Sequence, residues 1–280
     1  VDNKAVGSRF TMIAIIFAFL SMACYFACLK LTKERIVIPE NTGQKMSMKN
    51  TMRGLVKNKP LMILLAAALI FLLGMMLLNA VNVYLFKDYF NTAAALSIIG
   101  LITSVGTIAI SPLVNPLVKK FGKKESAAAG MLIAAIVYGA LFFLPHLNVT
   151  AFIVVSGIGI LAYSYLNLVI WAFITDCIDY HELITGLRED ATVYSIYAMS
   201  RKVGQALAGG LGGVAIAAVG YNATLAKQSG ETLDGIYSLA TLVPSLFFLA
   251  VFILLALYPL SKKRLNQLTD ELAARRQKNA

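Results

Sequence analysis

The residues best placed by type and spacing to do chemistry lie in WAFITDCIDYHELITGLRED, Trp171 to Asp190. There Asp176, Asp179, Glu182, Glu189 and Asp190 fall within fifteen residues of a chain whose net charge is +11. His181 beside Glu182 raises metal-assisted hydrolysis, which needs three or four convergent His, Cys or carboxylate ligands. The chain holds only two histidines, His146 and His181, and no paired-histidine helix motif, so no metal ligand and no catalytic residue is assigned. It also has no G-x-x-x-x-G-K-[ST] run to cradle phosphates, which leaves ATP-driven work by this chain unsupported. Cys24 and Cys28 sit one turn apart in an apolar segment and Cys177 in what reads as a polar loop, with no disulfide or metal spacing.

A second group of polar residues is embedded in apolar runs. Arg201 and Lys202 are followed by Gln205 and by GGLGG, Gly209 to Gly213. A helix starting near Ala191 puts Lys202 about 16 Å along its axis at about 1.5 Å per residue, close to the middle of a bilayer. Facing lipid there costs at least about 2.5 to 3.5 kcal/mol, so the amine is expected to face a cavity or a carboxylate on another helix, unless the helix starts later and both bases snorkel to the surface. Gly209 and Gly213 form a small-xxx-small pair suited to close helix packing. Ser104, Thr107, Ser111 and Asn115 make one polar stripe, which either lines an aqueous cavity or bonds back to its own helix. Asn79 and Asn82 share a face, as do Ser164, Asn167 and Trp171. Amides with an aromatic ring such as Trp171 or Tyr163 suit a sugar's hydroxyls and its apolar ring face, and helix contacts or interfacial anchoring suit them too.

These residues need membrane helices to position them. With 59% hydrophobic and 14% charged residues and a mean hydropathy of +0.74, the chain has more apolar surface than a soluble core of 280 residues buries. A nucleic-acid binder would gather its Lys and Arg with aromatics on one soluble face, whereas here they flank hydrophobic runs. A span takes about 20 apolar residues. Seven segments qualify, at 10–31, 61–86, 92–118, 125–144, 149–174, 191–219 and 237–260. Seven Lys or Arg lie in 32–60, four in 119–124 and six after Leu260, so these stretches are expected on the cytoplasmic side, with the amino end outside and the carboxyl end inside. An odd span count, an external amino end and the absence of an initiating Met point to a chain that begins inside a longer protein. On that reading 1–31 is the last helix of an amino-terminal bundle, 32–60 a basic linker, 61–260 a six-helix carboxyl-terminal bundle and 261–280 a basic cytoplasmic tail.

The stretch Trp171 to Leu211 resembles the loop and following helix of the glycoside-pentoside-hexuronide:cation symporters, a branch of the major facilitator superfamily. Its acidic spacing, D-Y, T-G-x-R-E, V-Y-S and R-K-x-G-Q occur in order, supported by LTKER at Leu31 to Arg35 and by the short KKFGKK turn. The resemblance implies an all-α integral membrane fold and sodium- or proton-coupled uptake of a sugar or glycoside by alternating access in the bacterial cytoplasmic membrane. It implies that Asp176, Asp179, Glu182 and Arg188 form a cytoplasmic charged network that helps close an inner gate. It further implies that Lys202 stands near the sugar and cation sites, with Arg201, Gln205, Asn167, Trp171, Tyr163, Asn79 and Asn82 as further candidates. No cofactor is expected, and the coupling-cation ligands would lie in an amino-terminal bundle outside this sequence. The alternative is a seven-helix receptor or sensor that binds a ligand without transporting it; the last span lacks the lysine a retinal protein needs.

Overall fold

The computed structural model describes residues 7–33, 48–225 and 227–279, and all regular structure among them is helical. The chain divides into two units, 1–46 and 47–280. The first contains α1 (Gly7–Leu31), an apolar helix exposed all round from residue 10 onward. A helix without a polar face is what a bilayer or other helices cover.

The second unit contains α2 (Met48–Lys57), α3 (Lys59–Tyr84), α4 (Ala95–Phe121), α5 (Lys123–Phe142), α6 (Val149–Thr185), α7 (Asp190–Ala218), α8 (Gly230–Ala256) and α9 (Lys262–Asn279). Local chemistry sets the ends. Asn58, Asn148 and Ser229 cap α3, α6 and α8, each accepting from the backbone N–H three residues on. Gly186, in the left-handed region at φ 73°, ends α6, and Gly122, at φ 102°, turns α4 into α5. A π-helical turn, Leu85–Tyr89, prolongs α3 and aims Tyr89 at the carbonyl of Pro145 and against the ring of Tyr237, 5.0 Å away.

Six described helices are long and apolar enough to cross a membrane: 10–31, 59–89, 95–121, 123–142, 149–185 and 230–256. The expected segment 191–219 is present as α7, and its 29 residues have the length. Arg201, Lys202, Gln205 and its glycines make it too polar to stand with those six by composition. Two expected boundaries also move. The segment expected from 237 starts at Gly230 as α8, and α6 runs on to Thr185 where the sequence read as a loop after 174. Cys177 is therefore fully buried on a helix, because Ile174, Cys177, Ile178 and His181 continue a helical stripe through the acidic residues. At about 1.5 Å per residue the 37 residues of α6 span about 55 Å against about 30 Å of hydrocarbon, so its end projects past a membrane. The stretches read as linker and tail contain α2 and α9, both packed on α6.

The closest packing runs from α4 to α6, α6 to α5, α5 to α8, α8 to α3 and α3 to α7. At the centre, Tyr163 lies between Phe71 and Phe248, 6.3 and 5.4 Å between ring centroids, with Tyr138 5.6 Å from Phe248. Small residues bring α7 onto α3. Gly204, Ala208 and Gly212 are buried at four-residue spacing, and a Cβ on Gly212 would stand 2.8 Å from that of Ala80. The expected contact pair Gly209 and Gly213 has no neighbour within 4 Å, because that stripe is rotated away from α3. Lipid competes as well as any side chain for apolar surface, so the fit of backbones is what such a contact contributes. Gly212→Leu should therefore destabilise the chain by about 1 to 3 kcal/mol, seen as a lower unfolding midpoint in detergent micelles, while Gly213→Leu leaves the midpoint nearly unchanged.

Candidate functional site

Two groups of residues stand out, an ion-paired end and an open polar face. At the ion-paired end the four expected gate residues belong to two separate clusters. Lys123, at the start of α5, bonds Asp176 Oδ1 at 2.7 Å and the carbonyl of Ala172 at 3.4 Å. Arg188, in the turn after α6, reaches Asp179, Glu182 and Asp190, each at 3.0 Å. Burial alone would lower the Arg188 pKa, but the three carboxylates outweigh it and hold the guanidinium above its ordinary range. Its folded value is raised, so its ion pairs are intact below the unfolded value and weaken only in strong alkali. On the arginine side, physiological pH does not switch this cluster.

A third, deeper cluster was not anticipated. His181 Nε2 and Glu189 Oε2 lie 2.7 Å apart with side chains 0% and 2% exposed. Thr51 of α2 donates to the other carboxylate oxygen at 2.9 Å. Gly54 lets α2 approach, since a Cβ there would meet Thr185 Cγ2 at 3.0 Å and His181 Cε1 at 3.1 Å. Asn58 caps α3 and donates its amide to the carbonyl of Cys177 at 2.9 Å. From α9, Arg275 donates to the carbonyl of Leu183 and Lys262 to that of Lys119. Tyr258 meets Cys177 Sγ at 3.4 Å, and burial pushes its hydroxyl pKa well up. Among the described residues no group of His, Cys and carboxylates is arranged to hold a metal ion.

The open polar face lies along α7, α3 and α6. Lys202 is exposed, and its Nζ donates to Gln205 Oε1 at 3.2 Å; among the described residues no carboxylate pairs with it. Arg201 sits over the rings of Trp171 and Tyr197, 5.8 and 5.9 Å from their centroids. Trp171 stacks on Tyr194 at 6.1 Å and remains 45% exposed, with Asn167 exposed one turn before it. Asn79 and Asn82 line a cavity of about 280 Å³ with Thr103 and Ser104 of α4. Of the α4 stripe, Thr107 bonds back to its own helix at the carbonyl of Thr103, as Thr103 beside it does to that of Ile99. Tyr163 and Ser164 are turned into the core, each 3% exposed, so of the aromatic candidates only Trp171 opens outward. Asn79, Asn167, Trp171 and Lys202 thus stand on surfaces the bundle leaves uncovered, Arg201 and Gln205 are half-buried beside them and Asn82 is buried at 6% exposure, an arrangement suited to hydroxyl groups and to the flat face of a ring.

Comparison with known proteins decides the class. The model of the family described as "MFS/sugar transport protein" matches residues 3–262. The chain belongs to this family. It is therefore a member of a transporter family of multi-pass membrane proteins and not an enzyme, and the glycoside-pentoside-hexuronide resemblance read from Trp171 to Leu211 holds across most of its length. It is 32% identical over 99% of its length to a putative sulfoquinovose importer of Escherichia coli, of which the match covers 59%. It is 31% identical over 97% of its length to the uncharacterized symporter YjmB of Bacillus subtilis (58% of that protein), and 28% over 94% to a glucuronide carrier protein homolog of E. coli (57%). The chain thus spans less than two thirds of the length of these curated relatives.

The Lys123–Asp176 pair of this family member is asymmetric, with side chains 25% and 10% exposed. Removing the amine strands a buried carboxylate, whereas removing the carboxylate leaves an amine that reaches water. A fully buried pair broken on one side costs about 3 to 5 kcal/mol. The partial exposure here reduces that, and Lys123→Met should cost about 1 to 3 kcal/mol against less for Asp176→Asn, compared as unfolding midpoints in detergent.

Proposed function

We propose that the chain forms the carboxyl-terminal part of a cation-coupled sugar or glycoside symporter that works by alternating access. In this reading 1–31 is the last helix of an amino-terminal bundle, 32–60 the cytoplasmic linker, 61–260 the carboxyl-terminal bundle with α7 as a full transmembrane member, and 261–280 the tail. The protein sits in the bacterial cytoplasmic membrane with its carboxyl end inside, as its basic stretches require. The observation that carries the proposal is the polar face of α7, with Lys202 exposed and Gln205 half-buried beside it on an element that bilayer lipid would not tolerate. A second bundle bearing carboxylates would answer that amine and enclose a water-filled path between the two. The relatives' names, a glucuronide carrier homolog and a sulfoquinovose importer, point to sugars as substrates.

Within this proposal Trp171 and Asn167 supply a ring face and an amide to the sugar, Asn79, Asn82 and Gln205 supply further amides, and Arg201 is held ready by two aromatic rings. Lys202 links sugar and cation occupancy electrostatically, since a cation bound near its countercharge displaces the amine toward the substrate. Either sodium or protons would serve as the coupling ion, with its ligands in the opposing bundle. The Arg188 and Asp176 clusters act from the cytoplasmic end, where ion pairs persist when helix ends meet and dissolve when water enters, which biases a two-state carrier. Uptake of a labelled glucuronide or sulfoquinovose into vesicles holding the complete carrier, with and without an imposed sodium or proton gradient, tests the proposal. Lys202→Ala should abolish gradient-driven accumulation. Normal accumulation by that variant would overturn the role of Lys202, and saturable binding without any uptake by the unmodified protein would favour a receptor.

A further inference from the structure

One cavity assigned to no role is an apolar groove of about 480 Å³ between α4, α5 and α6. Leu113, Leu117 and Phe121 form one wall, Ala129 and Ile133 another and Ile158 a third. Gly130 sets the floor, because a Cβ there would stand 2.8 Å from the carbonyl oxygen of Ala162 and hold α5 off α6. The polar groups in the wall satisfy one another: Tyr165 donates to Ser126 Oγ at 2.8 Å, and Ser126 donates to the carbonyl of Gly122 at 2.6 Å. What remains is carbon, with Leu113, Phe121, Ile133 and Ile158 about half exposed.

Three observations say what covers it. The groove is turned from the polar stripe that the proposed function places on the sugar path: at about 100° per residue, its α4 residues Ile110, Leu113, Leu117 and Phe121 lie about a third of a turn from the stripe of Ser104, Thr107, Ser111 and Asn115. Its length fits one leaflet, since Ile110 to Phe121 covers about 16 Å and half the hydrocarbon thickness is about 15 Å. Its mouth, at the basic end of the bundle, carries one charge of each sign. Lys120 Nζ lies 5.2 Å from the centroid of Phe121, and Glu125 lines the groove; both side chains are exposed, and among the described residues neither enters an ion pair. At about 100° per residue Lys119 and Lys124 fall on the sides of α4 and α5 opposite the groove.

We propose that this groove binds one phospholipid whose headgroup carries a primary amine. An acyl chain lies along the groove, the phosphate meets Lys120, and the ammonium donates to Glu125. A choline headgroup has no N–H to donate, and a glycerol headgroup offers Glu125 no cation.

The test is native mass spectrometry of the full chain released from micelles containing equal amounts of phosphatidylethanolamine, phosphatidylcholine and phosphatidylglycerol with matched acyl chains. Phosphatidylethanolamine should be retained about tenfold over phosphatidylcholine, the ratio expected of one charge-assisted hydrogen bond. Glu125→Gln should erase that preference while leaving total lipid bound similar. Ala129→Phe, which fills the groove, should lower retention of all three lipids, and Ile133→Trp provides a second filling variant should the first fail to fold. Equal retention of the three by the unmodified chain, a preference for phosphatidylglycerol, retention unchanged by both filling variants, or a chain dimer with no lipid would each overturn the proposal.

Discussion

A bilayer has no water with which to answer a polar group, so every charge and amide carried into it must find its partner in protein. Most of this molecule follows from where that demand is met and where it is left open. At the end carrying Lys123 and Arg188 it is met locally: Asp176, Asp179, Glu182 and Asp190 are all bonded to a base within their own unit. Along α7 it is left open. Among the described residues Lys202 has only the Gln205 amide, and Asn167 and Asn79 face outward. One surface of the bundle is thereby incomplete in a chemical sense, while its other side is ordinary apolar membrane helix.

Helix α6 connects these regions. It carries Tyr163 into the aromatic core, shows Asn167 and Trp171 beside α7, and five residues further places Asp176 against Lys123, about 7.5 Å along a continuous rod. Trp171 touches Tyr194, Tyr197 and, through its ring face, Arg201, so the start of α7 is fixed to α6 where the exposed aromatic stands. Toward its carboxyl end the same helix is held by α2 against His181, by Asn58 at the carbonyl of Cys177 and by α9 at that of Leu183. In the proposed transport cycle, a change in the ion-paired end would therefore reach the sugar face through one stiff element.

Much of this was legible in the residues. Four of the apolar runs, 10–31, 61–86, 92–118 and 125–144, marked membrane-length helices to within three residues at each end, because each run is long enough to be decided by its own transfer free energy. The segment through Asp176 was harder. It read as a loop because of its carboxylates, yet Ile174, Cys177, Ile178 and His181 recur at helical spacing, and that period carries α6 on to Thr185. Among the glycines of α7, the GGLGG run drew attention, whereas the contact with α3 uses Gly204, Ala208 and Gly212, a stripe of the same spacing on another face. The sequence contains both stripes and has no local term to choose between them. Lys123, Thr51 and Asn58 were missed for a related reason: a surface lysine beside a turn looks the same whether or not a carboxylate waits 53 residues away.

By itself, then, the sequence determined that the chain is helical and membrane-borne and which residues carry its unusual charge, since these depend on composition and short-range period alone. Tertiary structure decided which face of each helix is covered. It split the acidic cluster between Lys123 and Arg188, buried His181 against Glu189 beneath α2, and turned Tyr163 inward while leaving Trp171 out. Those outcomes depend on how far each helix is rotated about its own axis, and that rotation is set by the simultaneous fit of neighbours far apart in the chain.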